Sequence, residues 1–501
     1  MKETIIYFTR IPSRGYGKNR LKNFLNEEQR YELNKNLILN NYKILKECKY
    51  NICVYYNQAD NLDETQADID GIFDCPMKKQ IGKNLGAKMY SSICKELEEA
   101  NKVVLVGSDL TNLSKELITE CFELLDIYDL VVSPTEDGGY GIIAMKEPID
   151  VFSGITYSNE FVLENTINIA LRSGYTCKTI GILRDIDVRE DIVREELGTD
   201  KFEMLGFGEY NLNYKYLDKD KNPLVYRINM KSQMDLGIKQ IEYEYKALKE
   251  LEGTKVVPKV CSYSLKSKYM PYGSLKMQYL EGRPLDYDKD MNIAAYLLSK
   301  IHNHKVVNDT FIHADKPFKS MFNEFTSMFS HYQQWDKKDT KVEKTIEKFL
   351  QIAKESGLDA DIENQCIINT ELNNRNFIIG EKSYIIDWEK PIIGECEQDL
   401  AHFLVPTTTN WKTEKILDKD EIENFLNEYS KFRYFDTVKL NKYLMFNTLR
   451  GVTWCSMAKV EYSDESRALK NDETLVKINK FLSKDFLDYL YEGFYKFFDK
   501  K

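Results

Sequence analysis

Between Ile367 and Glu389 the chain carries a carboxylate at Glu371, an amide at Asn376 five residues on, and a second carboxylate at Asp387 that closes the apolar run Tyr384-Ile385-Ile386. An acid that can accept a hydrogen bond from a substrate hydroxyl, with an amide and an acid that can hold Mg2+ against nucleotide phosphates, are the parts phosphoryl transfer needs. The plainer reading of Asp387-Trp388-Glu389, a strand-end turn, leaves its spacing from Asn376 unexplained.

A second group of residues lies at the other end of the chain. In Phe8-Thr9-Arg10-Ile11-Pro12-Ser13-Arg14-Gly15-Tyr16-Gly17-Lys18-Asn19-Arg20-Leu21 two glycines let the backbone fold closely while four cations stand beside a helix start. That suits a polyphosphate, although a solvated basic turn looks similar. Gly107-Ser108-Asp109-Leu110 ends an apolar run, at the edge where open α/β sheets bind ligands. Asp109 there either holds Mg2+ or Mn2+ against a diphosphate or caps a helix. Pro134-Thr135-Glu136-Asp137-Gly138-Gly139-Tyr140-Gly141 permits close approach of backbone to a ligand, or makes a hairpin turn. The alternating acids of Asp185-Ile186-Asp187-Val188-Arg189-Glu190-Asp191 supply a second metal ligand or line an exposed edge.

The elements that must carry these groups follow from periodicity. Thr4 to Thr9, Tyr50 to Tyr56, Val103 to Gly107 and Leu130 to Ser133 read as strands, alternating with helices from about Asn26 to Cys48, Leu85 to Ala100 and Ser114 to Leu125, a βα pattern around a parallel sheet. Asn26 followed by Gln29 reads as a capping box and Ser114 as an N-cap. After Glu195 the pattern changes. Leu224 to Asn229 and Leu275 to Leu280 read as antiparallel strands around the amphipathic stretch Gly237 to Leu251. Helices dominate from about residue 290, interrupted by a strand-rich island at Cys366 to Ile386. The charged stretch Asp191 to Phe202 is the linker candidate, and its first half fits a last helix of the first domain.

Composition bounds the rest. In 501 residues, 43% hydrophobic and 30% charged, the chain has enough apolar material for substantial cores and for more than one domain. Its net charge of −10, with both signs interspersed, argues against a nucleic-acid partner. No apolar stretch approaches the roughly 20 residues of a bilayer span, and no signal peptide is evident, so a cytoplasmic location is expected. The ten cysteines form no C-x-x-C pair and are expected reduced. The five histidines include no H-E-x-x-H, which gives zinc no support. His302 falls at a helical apolar spacing and reads as core, as do Trp335, Trp388, Trp411 and Trp454.

In their order along the chain, RIPSRGYGKNRL, Gln80-Ile81-Gly82-Lys83-Asn84-Leu85-Gly86, VGSDLTNL, PTEDGGYG, Phe152-Ser153-Gly154-Ile155 and DIDVRED resemble the DUF2064 family. That family belongs to the GT-A-like nucleotide-diphospho-sugar transferase superfamily, with relatives that include molybdenum-cofactor and phospholactate guanylyltransferases. The resemblance implies a GT-A fold and a nucleotide-linked substrate. It also implies Asp109 and Asp187 as metal ligands, with Asp109 and Lys18 acting in catalysis. Arg10, Arg14, Gly15 and Arg20 would lie on the phosphates, and Asp137 and Gly138 against the nucleotide. The family continues Gly-Ser-Asp with Cys-Pro; here Leu110-Thr111 follow.

Residues 203 to 435 resemble the aminoglycoside phosphotransferase and choline kinase family. The resemblance is carried by Asn369 to Asn376, Asp387-Trp388-Glu389, Gly206 to Asn211 as a phosphate-covering loop, Val225-Tyr226-Arg227, Glu244, Leu280-Glu281-Gly282 and Asp399-Leu400-Ala401. It implies that Arg227 binds nucleotide with Glu244 as its ion-pair partner, that Asn376 and Asp387 bind Mg2+, and that Glu371 is catalytic. The family's loop begins His-x-Asp where this chain has Asn369-Thr370-Glu371. The extra methylene moves the carboxylate by about an ångström, and misplacement on that scale can cost on the order of 100-fold in rate.

The expectation is therefore an α/β chain with a GT-A/Rossmann-like, mostly parallel sheet domain over 1–197 and a bilobal protein-kinase-like α+β domain over 203–501. Its expected activities are a metal-dependent glycosyl- or nucleotidyltransferase and a small-molecule hydroxyl kinase. The alternative is an N-terminal transferase regulated or scaffolded by a nucleotide-binding pseudokinase. Expected cofactors and substrates are Mg2+ or Mn2+, ATP or GTP, and a nucleoside triphosphate or nucleotide sugar. The expected partners are small molecules, not nucleic acid or membrane, and the helical tail 436–501 has no assignment.

Overall fold

A computed structural model describes residues 2–57, 72–207, 210–232, 234–307, 311–463 and 472–499. Gly208 and Glu209 of the expected phosphate-covering loop lie outside the described residues. The chain divides into two compact units, Met1–Asp200 with Ser267–Pro271, and Lys201–Lys266 with Tyr272–Lys501.

In the first unit β1 (Glu3–Arg10), α1 (Glu27–Lys46), β2 (Asn51–Asn57), β3 (Met77–Lys79), α2 (Leu85–Leu97), β4 (Lys102–Gly107), α3 (Lys115–Leu124) and β5 (Leu130–Pro134) follow in order. They are completed by β6 (Tyr140–Met145), α4 (Val162–Arg172), β7 (Cys177–Thr179) and α5 (Arg189–Leu197). The strands form one seven-stranded sheet, ordered β3-β2-β1-β4-β6-β5-β7, in which β6 alone runs antiparallel to its neighbours. Both faces are covered, so the strands read as near-continuous apolar runs: Ile5, Val104, Val106 and Val131 belong to one core, Ile6, Val103, Leu105 and Val132 to the other.

Local sequence signals act as read. The Asn26 side chain accepts from Gln29 N, and Gln29 Oε1 accepts from Asn26 N, both at 2.9 Å. Ser114 Oγ accepts from Leu117 N at 3.2 Å. The first half of the linker candidate is helical, as its alternative reading has it: residues 191–197 belong to α5, which ends at the left-handed Gly198. Strand β6 is not among the expected elements, because Gly139 and Gly141 hide the apolar run Ile142 to Met145 behind a turn signal.

The second unit begins with β8 (Phe202–Phe207), β9 (Asn211–Leu217), β10 (Pro223–Asn229), α6 (Gln240–Leu251), β11 (Val260–Ser264) and β12 (Gly273–Gln278). Their antiparallel sheet is ordered β11-β12-β10-β9-β8. Next come β13 (Arg283–Pro284), α7 (Met291–His302), α8 (Pro317–Gln334), α9 (Thr340–Glu355), β14 (Cys366–Ile368), β15 (Phe377–Ile379), β16 (Tyr384–Ile385) and β17 (Ile392–Gly394). Last are α10 (Cys396–Leu404), α11 (Pro406–Lys412), α12 (Lys419–Ser430), α13 (Thr437–Ser463), α14 (Asp472–Phe481) and α15 (Lys484–Leu490). Helix α13 packs against α8 and α10, with Phe318 of α8 between the rings of Tyr443 and Phe446. The tail beyond 436 is thus part of this core.

The architecture is of the class expected: a mostly parallel α/β unit, then an α+β unit with an antiparallel sheet preceding a helical part. Trp388 is buried, donating to the Ile385 carbonyl at 3.1 Å, and His302 is buried as well. The ten cysteines are free thiols, six of them buried. Among the described residues no helix is long and apolar enough to cross a membrane.

Candidate active sites

In the first unit β1 and β4 are neighbours, yet the chain leaves β1 for β2 on one side and reaches β4 on the other. This reversal opens a crevice at their carboxyl ends. The loop after β1 delivers Lys18, a left-handed residue at φ 47° that starts the single turn Asn19–Leu21. Its side chain is 5% exposed, with Nζ 2.9 Å from Asp109 Oδ2, and it also donates to the Ile186 carbonyl. The Asp109 side chain stays 46% exposed. Burial opposes its charge, but Lys18, by proximity and hydrogen bond, brings its carboxyl below the usual value.

Asp109 is held from behind. Asn41 of α1 donates to the Ser108 and Leu110 carbonyls, each at 3.0 Å, fixing the turn in which Asp109 sits. Leu110 also bridges to Asp185. Burial, then the charges of Asp109 and Asp137, push the Asp185 carboxyl up to about 7. The acids of Asp185 to Asp191 thus divide the work. Asp185 joins Asp109, Asp187 pairs with Arg20 at 2.7 Å, and Asp191 accepts the backbone N–H groups of Asp187 and Val188 at 2.8 and 2.7 Å.

Other expected residues distribute around this centre. Arg10 acts by its charge on Asp109 and lies 5.7 Å from the Tyr16 ring. Arg14 instead engages Glu28 at 2.6 Å and the Tyr31 ring at 4.6 Å. Gly15 takes φ 76°, which turns the loop between them. Asp137 accepts from Thr135 Oγ1 and Gly139 N, shaping the turn after β5. Gly138, at φ 86°, could not carry a side chain, since a Cβ would lie 2.1 Å from the Glu160 carbonyl oxygen. Gln80 ties the loop before α2 to the same sheet edge, donating to the Thr9 and Tyr55 carbonyls at 2.9 and 3.0 Å.

The second unit gathers its charges around Arg227 of β10. The buried guanidinium meets Glu244 of α6 at 3.2 Å, Asp387 at 2.6 Å and Glu389 at 3.1 Å. Burial works against its charge and the three acids more than offset that, raising its pKa. One cation does not balance three carboxylates. Burial, over the opposing pull of Arg227, pushes the Glu244 carboxyl up to about 8, and Glu389 is raised too, by burial and by Asp387. Asn211 of β9 donates to Glu389, and Asn229 donates to Asn211 at 2.9 Å.

The loop after β14 holds Asn369, Thr370 and Glu371. Asp399 of α10 accepts from the backbone N–H groups of Asn369 and Thr370, both at 2.8 Å, and His302 lies 3.3 Å from the same carboxylate. Asn369 Nδ2 donates to the Asp387 carbonyl at 2.8 Å, and Ile386 N donates to the Asn376 carbonyl at 2.7 Å, so Glu371, Asn376 and Asp387 sit on one hydrogen-bonded framework. The second of these bonds ties together the segments that carry the two candidate Mg2+ ligands. Glu371 itself lies between two cations, Lys390 Nζ at 2.8 Å and Arg450 of α13 at 3.1 Å. Burial opposes its charge, yet Arg450 and Lys390 together bring its carboxyl down to about 2.

Sequence reading missed Asn41, Lys390 and Arg450, and it named Asp185 only as one of the alternating acids, with Asp187 singled out among them. Arg450 is a lone charge amid the apolar positions of α13, which marks a buried partner. Asn41 and Lys390 had no comparable mark. Among the described residues no three His, Cys, Asp or Glu side chains converge as a ready-made cation site. The pairs Asp109 with Asp185, and Asp387 with Glu389, nevertheless carry surplus negative charge that a divalent cation would relieve.

The DUF2064 family, described as an uncharacterized protein conserved in bacteria, matches residues 41–159. Among solved structures, a provisionally assigned nucleotide-diphospho-sugar transferase from Desulfovibrio desulfuricans G20 is similar at 23% identity, over 39% of this chain and 87% of that one, with a TM-score of 0.37. A choline kinase from Streptococcus pneumoniae is similar at 18% identity, over 60% and 99%, with a TM-score of 0.42. An aminoglycoside phosphotransferase from Alicyclobacillus acidocaldarius is similar at 11% identity, over 58% and 92%, with a TM-score of 0.40.

Proposed function

We propose that the chain is a two-part transferase. The first unit transfers a nucleotidyl group from a nucleoside triphosphate, or a glycosyl group from a nucleotide sugar. The second phosphorylates a hydroxyl of a small molecule with ATP or GTP. For the first unit the observation that carries the reading is the meeting of Lys18, Asp109 and Asp185 at the carboxyl edge of the sheet. Lys18, Arg10 and Arg20 bind phosphate oxygens through charge-assisted hydrogen bonds. Asp109, with Asp185 or Asp187, would hold Mg2+ or Mn2+, which when bound neutralises charge on the phosphates.

For the second unit the carrying observation is the framework that joins Glu371, Asn376 and Asp387, with Arg227 beside Asp387. Glu371 orients the acceptor hydroxyl, Asn376 and Asp387 would hold Mg2+, and Arg227 holds the nucleotide phosphates. The pinning of Glu371 between Lys390 and Arg450 favours a second reading, a nucleotide-binding regulator without phosphate transfer.

The test is thermal shift of the full-length protein with each nucleoside triphosphate and nucleotide sugar plus Mg2+ or Mn2+, followed by turnover assays. Asp109→Asn is expected to abolish turnover by the first unit, and Asp387→Ala to remove metal-dependent ATP or GTP binding by the second. Unchanged nucleotide affinity in Asp387→Ala overturns the kinase reading. ATP binding without transfer to any alcohol, amino alcohol or sugar favours the regulator.

A further inference from the structure

Through Arg450 the tail helix α13 reaches the loop that carries Glu371, and it does so at two points. Arg450 donates to the Thr370 carbonyl and to Glu371 Oε1, each at 3.1 Å. Lys390, from the loop after β16, grips the same two residues from another segment. Its carbonyl accepts from Thr370 Oγ1 at 3.2 Å, and its Nζ donates to Glu371 Oε1 at 2.8 Å. Asp399 of α10 takes the third polar group of Thr370, the backbone N–H, at 2.8 Å.

Thr370 needs that hold. It takes φ 73°, a left-handed conformation in which a β-branched residue is an outlier. Backbone strain of this kind persists only where the surroundings over-determine it. Cations that did no more than neutralise Glu371 would need to touch its carboxylate alone; these two residues also fix the one before it.

Both cations bond the same carboxylate oxygen. Among the described residues Glu371 Oε2 has no hydrogen-bond partner, it is not buried, and the side chain is 35% exposed. One oxygen is anchored and the other is open to a donor. A glutamate arm has one more rotatable bond than an aspartate arm, and a free arm of that length spreads its carboxylate over several rotamers. Anchoring Oε1 from two sides removes that freedom. Glu324 of α8 lies 3.7 Å from Arg450 Nε, beyond hydrogen-bond reach, so Glu371 is the carboxylate that Arg450 orients.

We propose that Arg450 and Lys390 are positioning residues for phosphate transfer: they clamp Thr370 and Glu371 so that Oε2 accepts the hydrogen bond of the acceptor hydroxyl. This rests on the kinase reading above, and it gives the tail beyond residue 436 a part in that activity. The two cations hold Glu371 in place without occupying the oxygen that the hydroxyl uses.

The test uses the full-length protein with Mg-ATP, water serving as the acceptor, and reads ATP affinity by calorimetry and ADP release by a coupled assay. Arg450→Met is expected to lower ADP release by about 100-fold, the scale of an ångström's misplacement, and to leave ATP affinity within about twofold. Arg450→Lys, which keeps the charge without the fork of donors, should recover part of that loss. Glu371→Asp, which withdraws the carboxylate from the clamp, should also lower ADP release. Adding Arg450→Met to it should cost little more, because Arg450 acts through residue 371. If Arg450→Met does not fold, Lys390→Met reads the other half of the clamp, with the same expected loss and the same dependence on residue 371. ADP release at the wild-type rate in either folded variant overturns the proposal, as does a loss of ATP affinity that matches the loss of rate, or losses that multiply in the double variant. Wild-type protein that binds Mg-ATP but releases no ADP also overturns it. Wild-type protein that does not bind Mg-ATP overturns the kinase reading itself, and the affinity measurement separates that failure from the others.

Discussion

At the scale of single residues, both sites hold more acid than their cations balance, and the surplus is measurable by titration. In the first unit Asp185 is held near pH 7 by burial and by the charges of Asp109 and Asp137. Asp109→Asn should therefore lower the Asp185 pKa while burial keeps it above the ordinary carboxylate range, which a carboxyl NMR titration would register. An unmoved titration would mean that the two acids do not share a site. In the second unit Glu244 titrates near 8 in the fold, against about 4.3 in the unfolded chain. Its proton is bound more tightly in the folded state, so this contribution to stability is complete below the unfolded pKa and is lost as pH rises through about 8. The metal-free protein should thus lose stability between about pH 5 and 8, and Glu244→Gln should flatten that slope in urea denaturation midpoints.

At the scale of elements, the sites depend on helices that reach behind the loops and on one turn that tolerates no side chain. Asn41 is buried and satisfies the carbonyls of Ser108 and Leu110. Leaving the two carbonyls unpaired costs about 1–3 kcal/mol each, so Asn41→Leu should destabilise the first unit by about 2–6 kcal/mol in urea unfolding. It should also weaken nucleotide binding, because the turn carrying Asp109 is released. Gly138→Ala meets both a left-handed backbone and the Glu160 carbonyl oxygen. A lower melting temperature and lost nucleotide binding are expected; a wild-type melting temperature would show that the turn after β5 is not tightly packed against Glu160.

At the scale of the whole molecule, one chain joins two transferase-like units, and fusion raises the local concentration of one activity for the other's product. A phosphate monoester made by the second unit could attack a nucleoside triphosphate in the first, giving a nucleotide-activated small molecule and pyrophosphate. Full-length protein supplied with metabolite extract, ATP, GTP and CTP should then form pyrophosphate and a new nucleotide adduct, detected by mass spectrometry. Glu371→Ala should form neither. Equal adduct formation by the two proteins would show that the units act on unrelated substrates.

The sequence by itself determined the elements and the loops that hold the candidate site residues. Hydrophobic periodicity placed β1, β2, β4 and β5, side-chain caps placed the starts of α1 and α3, and ordered motifs marked Lys18, Asp109, Arg227, Glu371, Asn376 and Asp387. These signals are local, set by residues within a few positions of one another. Tertiary structure decided which charges meet. The charge of Asp109 reaches Asp185 from the far end of the unit's sequence, and Arg450 reaches Glu371 across 79 residues of chain. The physical reason is that a side chain's charge, burial and hydrogen-bond partners depend on neighbours brought together by packing, for which spacing along the chain holds no record.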